Sequence, residues 1–261
     1  MRNFLTDKNI IIVDEIGDVG EDTPDDPTFT YSATITKKPS LFGYIAIKFR
    51  TKFRDRLVDG ELKASALYPN QREEILTDIS ELDPEIHAIQ IDKNAKDNPK
   101  WWSQKIDRKW IFRETLAELM DETFSETEDD DFIIIVDHND HIKNETGKTI
   151  VKRASERNKK NVIDCKVKDS KNKEYDSAIR GHGHQPESEL SRNKEYSDLI
   201  QANDVIPREV RDREKGKKDG QKLNIKTKRL TINNVRKTTV GENKQEFMIK
   251  GKQGKKQTKF K

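Results

Sequence analysis

Two short apolar runs, residues 9–13 (NIIIV) and 132–136 (FIIIV), interrupt a chain otherwise dense in charge. Continuous runs of this length read as strands covered on both faces. Residues 28–37 alternate Thr, Tyr and Ile and read as a second strand. In 85–92, Ile86 and Ala88 share one face while Ile89 and Ile91 share the other, predicting a third strand at least partly covered on both sides. Residues 161–168 (NVIDCKVK) make a fifth, with Cys165 alternating with Ile163 and Val167 as a buried structural thiol. Helical spacing predicts helices from Pro39 and Ser40 to about Phe53, over 70–82, over 100–124 and over 196–205. Asn70 with Glu73 three residues on has the spacing of a capping box, and Pro84 and Pro207 are read as stops. In the long helix Trp102, Ile106, Trp110, Leu116 and Met120 fall near one face, which reads as core before it reads as a base-stacking platform.

Charge divides the chain. Hydrophobic residues are only 31% of it and charged residues 38%, so the core is lean and the surface heavily solvated. From Arg208 onward there are 19 Lys/Arg against 6 Asp/Glu, whereas residues 1–207 carry 32 against 42. An acidic body with a basic tail fits a partner rich in phosphate, bound by counterion release; a solubilising end is the plainer alternative. Lys217, Lys218, Lys226, Lys228, Arg229, Arg236 and Lys237 are the tail's candidate nucleic-acid contacts. Within the tail, 223–232 and 246–249 offer a strand pair, a β-hairpin arm between lysine-rich linkers. A single cysteine excludes an intramolecular disulfide framework. The first fifteen residues lack the form of a signal peptide, and no stretch approaches the roughly 18 apolar residues of a membrane span. The expectation is a soluble, cytoplasmic protein with no membrane partner.

Both apolar runs end on an acid, Asp14 and Asp137. In an open α/β sheet, ligands gather beyond the carboxyl ends of the strands. If the two strands lie parallel and adjacent, the two carboxylates emerge side by side and repel unless a cation neutralises them. Magnesium suits such a place, because it takes oxygen ligands and keeps waters and substrate phosphates in its shell. Two such ions about 4 Å apart can clamp both oxygens of a phosphodiester displacement. Against this stands the plain reading that either aspartate is simply a polar strand end. Four of the five histidines form close pairs, His138/His141 and His182/His184. Imidazole with Asp137 and Asp140 would suit zinc, manganese or iron, and the alternative is polar loops. Phosphate-cradling glycine loops and serine-nucleophile elbows are absent from the sequence.

The segment Asp14-Glu15-Ile16-Gly17-Asp18 resembles the Asp-Glu-Ser-Gly-Asp motif of the domain of unknown function 3800 family. Glu61-Leu62-Lys63 resembles that family's Glu-x-Lys segment, the strand ending at Asp137 its Ile-Val-Asp strand, and Gln201-Ala202-Asn203-Asp204 its late Gln-x-x-Asp motif. Ile16 stands where the family has serine, and Asn203 where it has alanine. The resemblance runs in order over about residues 9–206. It implies a ribonuclease H-like α/β fold: a five-stranded mixed sheet flanked by helices, with strands one to three antiparallel neighbours and strands one, four and five parallel. It also implies an acidic cluster of Asp14, Glu61, Asp137 and Asp204, catalytic and metal-binding, with Glu15, Asp18, Lys63 and Gln201 in support.

Together these readings predict one α/β domain over residues 1–206 and a basic appendage over 207–261. The expected activity is that of a metal-dependent nuclease, hydrolysing DNA or RNA with Mg or Mn. The alternative is a catalytically silent nucleic-acid-binding or interaction protein on the same scaffold, in which the carboxylates stand apart or pair with Lys/Arg.

Overall fold

The computed structural model describes residues 9–17, 28–96, 98, 108–137, 142, 144–168, 187–214 and 223–234. Its strands are β1 (Asn9–Ile16), β2 (Thr28–Thr36), β3 (Glu85–Asp92), β4 (Asp131–Asp137), β5 (Asn161–Lys168) and β6 (Ile225–Thr231). They form one mixed sheet in the order β5-β4-β1-β2-β3-β6. β1 pairs in parallel with β4, and β4 with β5. β2 is antiparallel to both β1 and β3, and β6 runs parallel to β3. Five strands therefore point one way and β2 alone points back. The carboxyl ends of β1 and β4 open on the same edge of the sheet.

Helices cover both faces, as the uninterrupted apolar runs require. α1 (Pro39–Lys52), α2 (Pro69–Glu81), α5 (Glu187–Asn203) and α6 (Val205–Glu214) lie on one side. There Ile10, Ile12, Ile133 and Ile135 meet Phe42, Phe49, Leu76, Leu199 and Ile206. α3 (Arg108–Glu126) and α4 (Asn144–Asn158) cover the other. On that side Ile11, Val13, Ile134 and Val136 pack with Leu116, Met120, Phe124 and Val151. Leu116 and Met120 are thus core, and Trp110 packs partly buried against the same cluster.

Several expectations shift. The sheet has six strands, not five, because part of the expected appendage completes it. Residues 225–231 form the strand expected within 223–232 and pair with β3; residues 246–249, its expected hairpin partner, lie outside the described region. The physical reason is a charge match. Glu118 and Glu122, one helical turn apart on α3, both bind the Lys228 ammonium at 2.9 and 2.7 Å. Glu126 one turn further binds Lys226 at 3.0 Å, and Glu85 binds the same ammonium at 2.9 Å. Leu230 and Ile232 are buried on the α3 side of the sheet and Leu223 on the other side. Backbone pairing covers the edge of β3 and moves the sheet edge to β6, whose exposed Lys226 and Arg229 are charged.

Pro207 does not stop a helix. It sits in the first turn of α6, where its missing N–H costs nothing, so the boundary drawn at residue 206 falls inside an element. α2 begins at Pro69 with Tyr68 as its cap, not Asn70; Gln71 Oε1 takes the Tyr68 N–H at 2.9 Å. α4 is not among the expected helices; its buried face, Gly147, Val151, Ala154 and Ser155, has helical spacing but only one large apolar side chain. Its packing depends on Gly147, where a Cβ would stand 2.7 Å from the Val167 side chain. The alternation expected for Ile163, Cys165 and Val167 is broken by a bulge, since Phe132 pairs with Val162 and Ile133 with Asp164. Ile163 is turned out, 48% exposed. Cys165 packs against the core, and burial pushes its thiol up to about 12.

No helix among the described residues is long and apolar enough to cross a membrane.

Candidate functional site

Strand alternation builds the centre of the site. Asp14 lies on the face of Ile10 and Ile12, and Asp137 on the face of Ile133 and Ile135, two residues beyond the last apolar side chain of that face in each case. Parallel register sets Val13 opposite Val136, so the two aspartates follow side by side at the carboxyl edge. Both are on the side covered by α1, α2, α5 and α6, the side from which the other predicted residues arrive.

Glu61 comes from the connection between α1 and α2. Asp59 and Gly60 both have positive φ, 53° and 83°, and Val58 and Glu61 exchange backbone hydrogen bonds of 3.0 and 2.9 Å around them. This is the sign pattern of a type I′ turn, which an Asp-Gly pair favours. The turn delivers Glu61 buried, 4% exposed, with Lys63 two residues on. Asp204 stands at the junction of α5 and α6. Its Oδ2 accepts the Ala64 N–H at 2.5 Å, which ties the junction to the Glu61 connection. Gln201, one turn earlier, accepts the Leu62 N–H at 3.2 Å through Oε1. Arg72 of α2 holds the far end of the connection by donating to Leu67 O at 2.7 Å.

The electrostatics follow from this crowding. Asp14 is 3% exposed; its Oδ1 accepts the Glu15 N–H at 2.8 Å, and its Oδ2 is buried with no hydrogen-bond partner among the described residues. Burial first, then the neighbouring charges of Asp137, Asp204 and Glu15, raise its carboxyl well above the ordinary range, with Lys63 opposing. Burial also raises Asp204, while Lys63, the Ala64 N–H and Arg208 pull it back. Lys63 is the cation in the middle. Its ammonium lies 3.4 Å from Glu61 Oε2 and 4.0 Å from Asp204 Oδ1. Burial alone would lower its pKa, but Asp204, Asp137, Glu61 and Asp14 together hold it above the ordinary value.

The structure therefore gathers Asp14, Glu61, Asp137, Asp204, Lys63 and Gln201 at one edge. Glu15 follows Asp14 on the opposite face of β1 by alternation. Asp18, His138, His141, His182 and His184 lie outside the described residues, as do Lys217, Lys218, Arg236 and Lys237. Lys226 and Lys228 are engaged by the acids of β3 and α3, and Arg229 is exposed on the outer strand. A groove of about 550 Å³ between Lys37, Glu85, Asp129 and Lys226 opens at the opposite edge of the sheet from Asp14. Two of its three lysines are already paired, Lys37 with Asp129 and Lys226 with Glu85 and Glu126.

Sequence reading missed Arg50. From the last turn of α1 it donates to Asp198 Oδ1 at 2.5 Å and to Gln201 Oε1 at 3.3 Å. The signal for Asp198 is its place three residues before Gln201 on the same helical face. Nothing local marks Arg50 as their partner.

As donors, these carboxylates suit a hard divalent cation such as Mg or Mn. They do not form a finished shell: among the described residues, no group of three or more His, Cys, Asp or Glu side chains is set to hold a metal ion. A cation entering here would take up the unpartnered Asp14 oxygen and displace Lys63 from the middle of the cluster. No family model matches the chain, and no curated protein matches it.

Proposed function

We propose that this protein is a metal-dependent nuclease on a ribonuclease H-like scaffold, with Asp14, Glu61, Asp137 and Asp204 as the acidic centre. The strand order β3-β2-β1-β4-β5, with β2 alone reversed, supports the fold reading. One observation carries the chemical reading: the buried Asp14 Oδ2 has no hydrogen-bond partner among the described residues and sits among further carboxylates. Burying such an oxygen is costly unless something neutralises it. A divalent ion bound there would supply Lewis-acid stabilisation of a phosphodiester and a more acidic water. The protein's own part is to hold Asp14 and Asp137 in register, to fix Glu61 by its turn, and to anchor Asp204 on the Ala64 N–H. Lys63, released from Glu61 and Asp204, would be free to meet a phosphate oxygen.

A second reading has its own support. Lys63 already counters Glu61 and Asp204, as a silent nucleic-acid-binding scaffold would require. The two separate in one experiment: Mn²⁺ titration, with divalent-dependent cleavage of labelled single-stranded, duplex and hybrid substrates. The nuclease reading expects Mn²⁺ binding and cleavage that Asp14→Asn abolishes. Nucleic-acid binding with neither metal binding nor cleavage would establish the silent scaffold.

A further inference from the structure

We propose that Arg50 is a positioning residue for the acidic centre, its guanidinium fixing Gln201 and Asp198 in the arrangement that sets the backbone of Leu62 and so the places of Glu61 and Lys63. The functional consequence rests on the metal-centre reading; the geometry does not.

Gln201 links the guanidinium to the connection. One oxygen, Oε1, accepts both Arg50 Nη1 at 3.3 Å and the Leu62 N–H at 3.2 Å, while Nε2 donates to Ser197 Oγ at 3.2 Å. Were the amide turned over, its NH₂ would face two donors and Leu62 would lose its acceptor. The guanidinium selects the oxygen-out orientation, because a fixed positive donor there tolerates only an acceptor. Its other arm is held by Asp198, whose side chain is 7% exposed and which lies on α5 one turn before Gln201. The two acceptors match the two arms of the fork, a geometry that a lysine ammonium cannot reproduce. Leu62 is bonded directly to Glu61 and Lys63, so the place of its N–H determines where both side chains start. Asp204 and Arg72 hold the same connection at Ala64 and Leu67, the Val58–Glu61 pair closes the turn before it, and Gln201 holds Leu62 between them.

A purely structural clamp between α1 and α5 would also cost stability when broken, so the test separates the two roles. Arg50→Gln strands a buried carboxylate at Asp198 and is expected to melt early. The paired variant Arg50→Gln/Asp198→Asn leaves no stranded charge, and Arg50→Lys keeps the charge without the fork. Each is made in the full chain and compared by thermal melting, by amide exchange at Leu62 and Ala64, and by Mn²⁺ titration. The expected result is near-parental melting of Arg50→Lys and of the paired variant. In both, Leu62 should exchange roughly three- to tenfold faster, the loss of one modest hydrogen bond. Mn²⁺ should bind about 10- to 100-fold more weakly, as when an outer partner of a metal ligand is removed. Parental exchange at Leu62 in the paired variant overturns the proposal, and so does loosened Leu62 with unchanged Mn²⁺ affinity. If the unmodified protein binds no Mn²⁺, the metal reading fails, and the Leu62 exchange still decides whether Arg50 positions the connection.

Discussion

Replacing Asp14 by Asn should make the metal-free protein more stable at neutral pH. The Asn keeps an oxygen for the Glu15 N–H and removes a buried charge that Asp137, Asp204 and Glu15 all oppose. In the unfolded chain Asp14 loses its proton near its ordinary value of 3.8, whereas in the folded protein it holds the proton to well above that. Between those two values the native state binds more protons, so stability falls as pH rises through the window. Below the lower value both states are protonated and the penalty vanishes. The stranded carboxylate oxygen is worth about 2 kcal/mol, within the range for an unsatisfied buried polar group. For a chain of this size that is a rise of roughly 4–8 °C in Tm. Urea unfolding of parent and variant from pH 3.5 to 8 measures the effect directly. A saturating divalent ion should reverse the order, adding about 2.7 kcal/mol to the parent alone at a hundred times its Kd. A variant less stable than the parent at pH 7, or a difference that does not shrink at pH 3.5, would overturn this account of Asp14.

Gly147→Ala places a methyl 2.7 Å from Val167 and should destabilise by about 1–3 kcal/mol in thermal melts, the usual range for overpacking. Lys228→Ala strands the buried Glu118 carboxylate as well as freeing the more exposed Glu122; this should cost about 1–3 kcal/mol in thermal melts and leave nucleic-acid affinity nearly unchanged in a binding titration. Truncation after Asn234 keeps β6 and removes nine Lys/Arg and two Asp/Glu. If the tail binds phosphates, the slope of log K against log salt should flatten by roughly 0.7–0.9 for each phosphate no longer neutralised. Truncation after Pro207 should instead unfold the protein, seen as loss of a cooperative melt, because it removes β6 and most of α6.

Local pattern alone determined much of this molecule. Residues 9–13 and 132–136 are apolar at every position but the first of the former, which only a strand covered on both faces accommodates, and each places its acid on a known parity. That parity puts Asp14 with Ile12 and Asp137 with Ile135, and parallel pairing then brings the carboxylates together. Asp59-Gly60 before Glu61 is a local signal of the same kind, since positive φ at two successive positions restricts the residues that fit, but the structure is what showed the turn. What the sequence did not carry was partnership between distant segments. Lys226 and Lys228 are read locally as tail cations for a phosphate backbone; only the docking of β6 on β3 sets them against Glu118, Glu122 and Glu126, about a hundred residues earlier. Arg50 joins Asp198 and Gln201 across about 150 residues, and no periodicity records such a bond. Pro207 shows the same limit in reverse: it ends a helix or begins one according to what lies before it, and that depended on Asp204 turning the chain between two helices packed on the sheet. Secondary structure follows from the spacing of neighbours along the chain, whereas charge pairing is decided by which surfaces the buried core brings within a few ångströms.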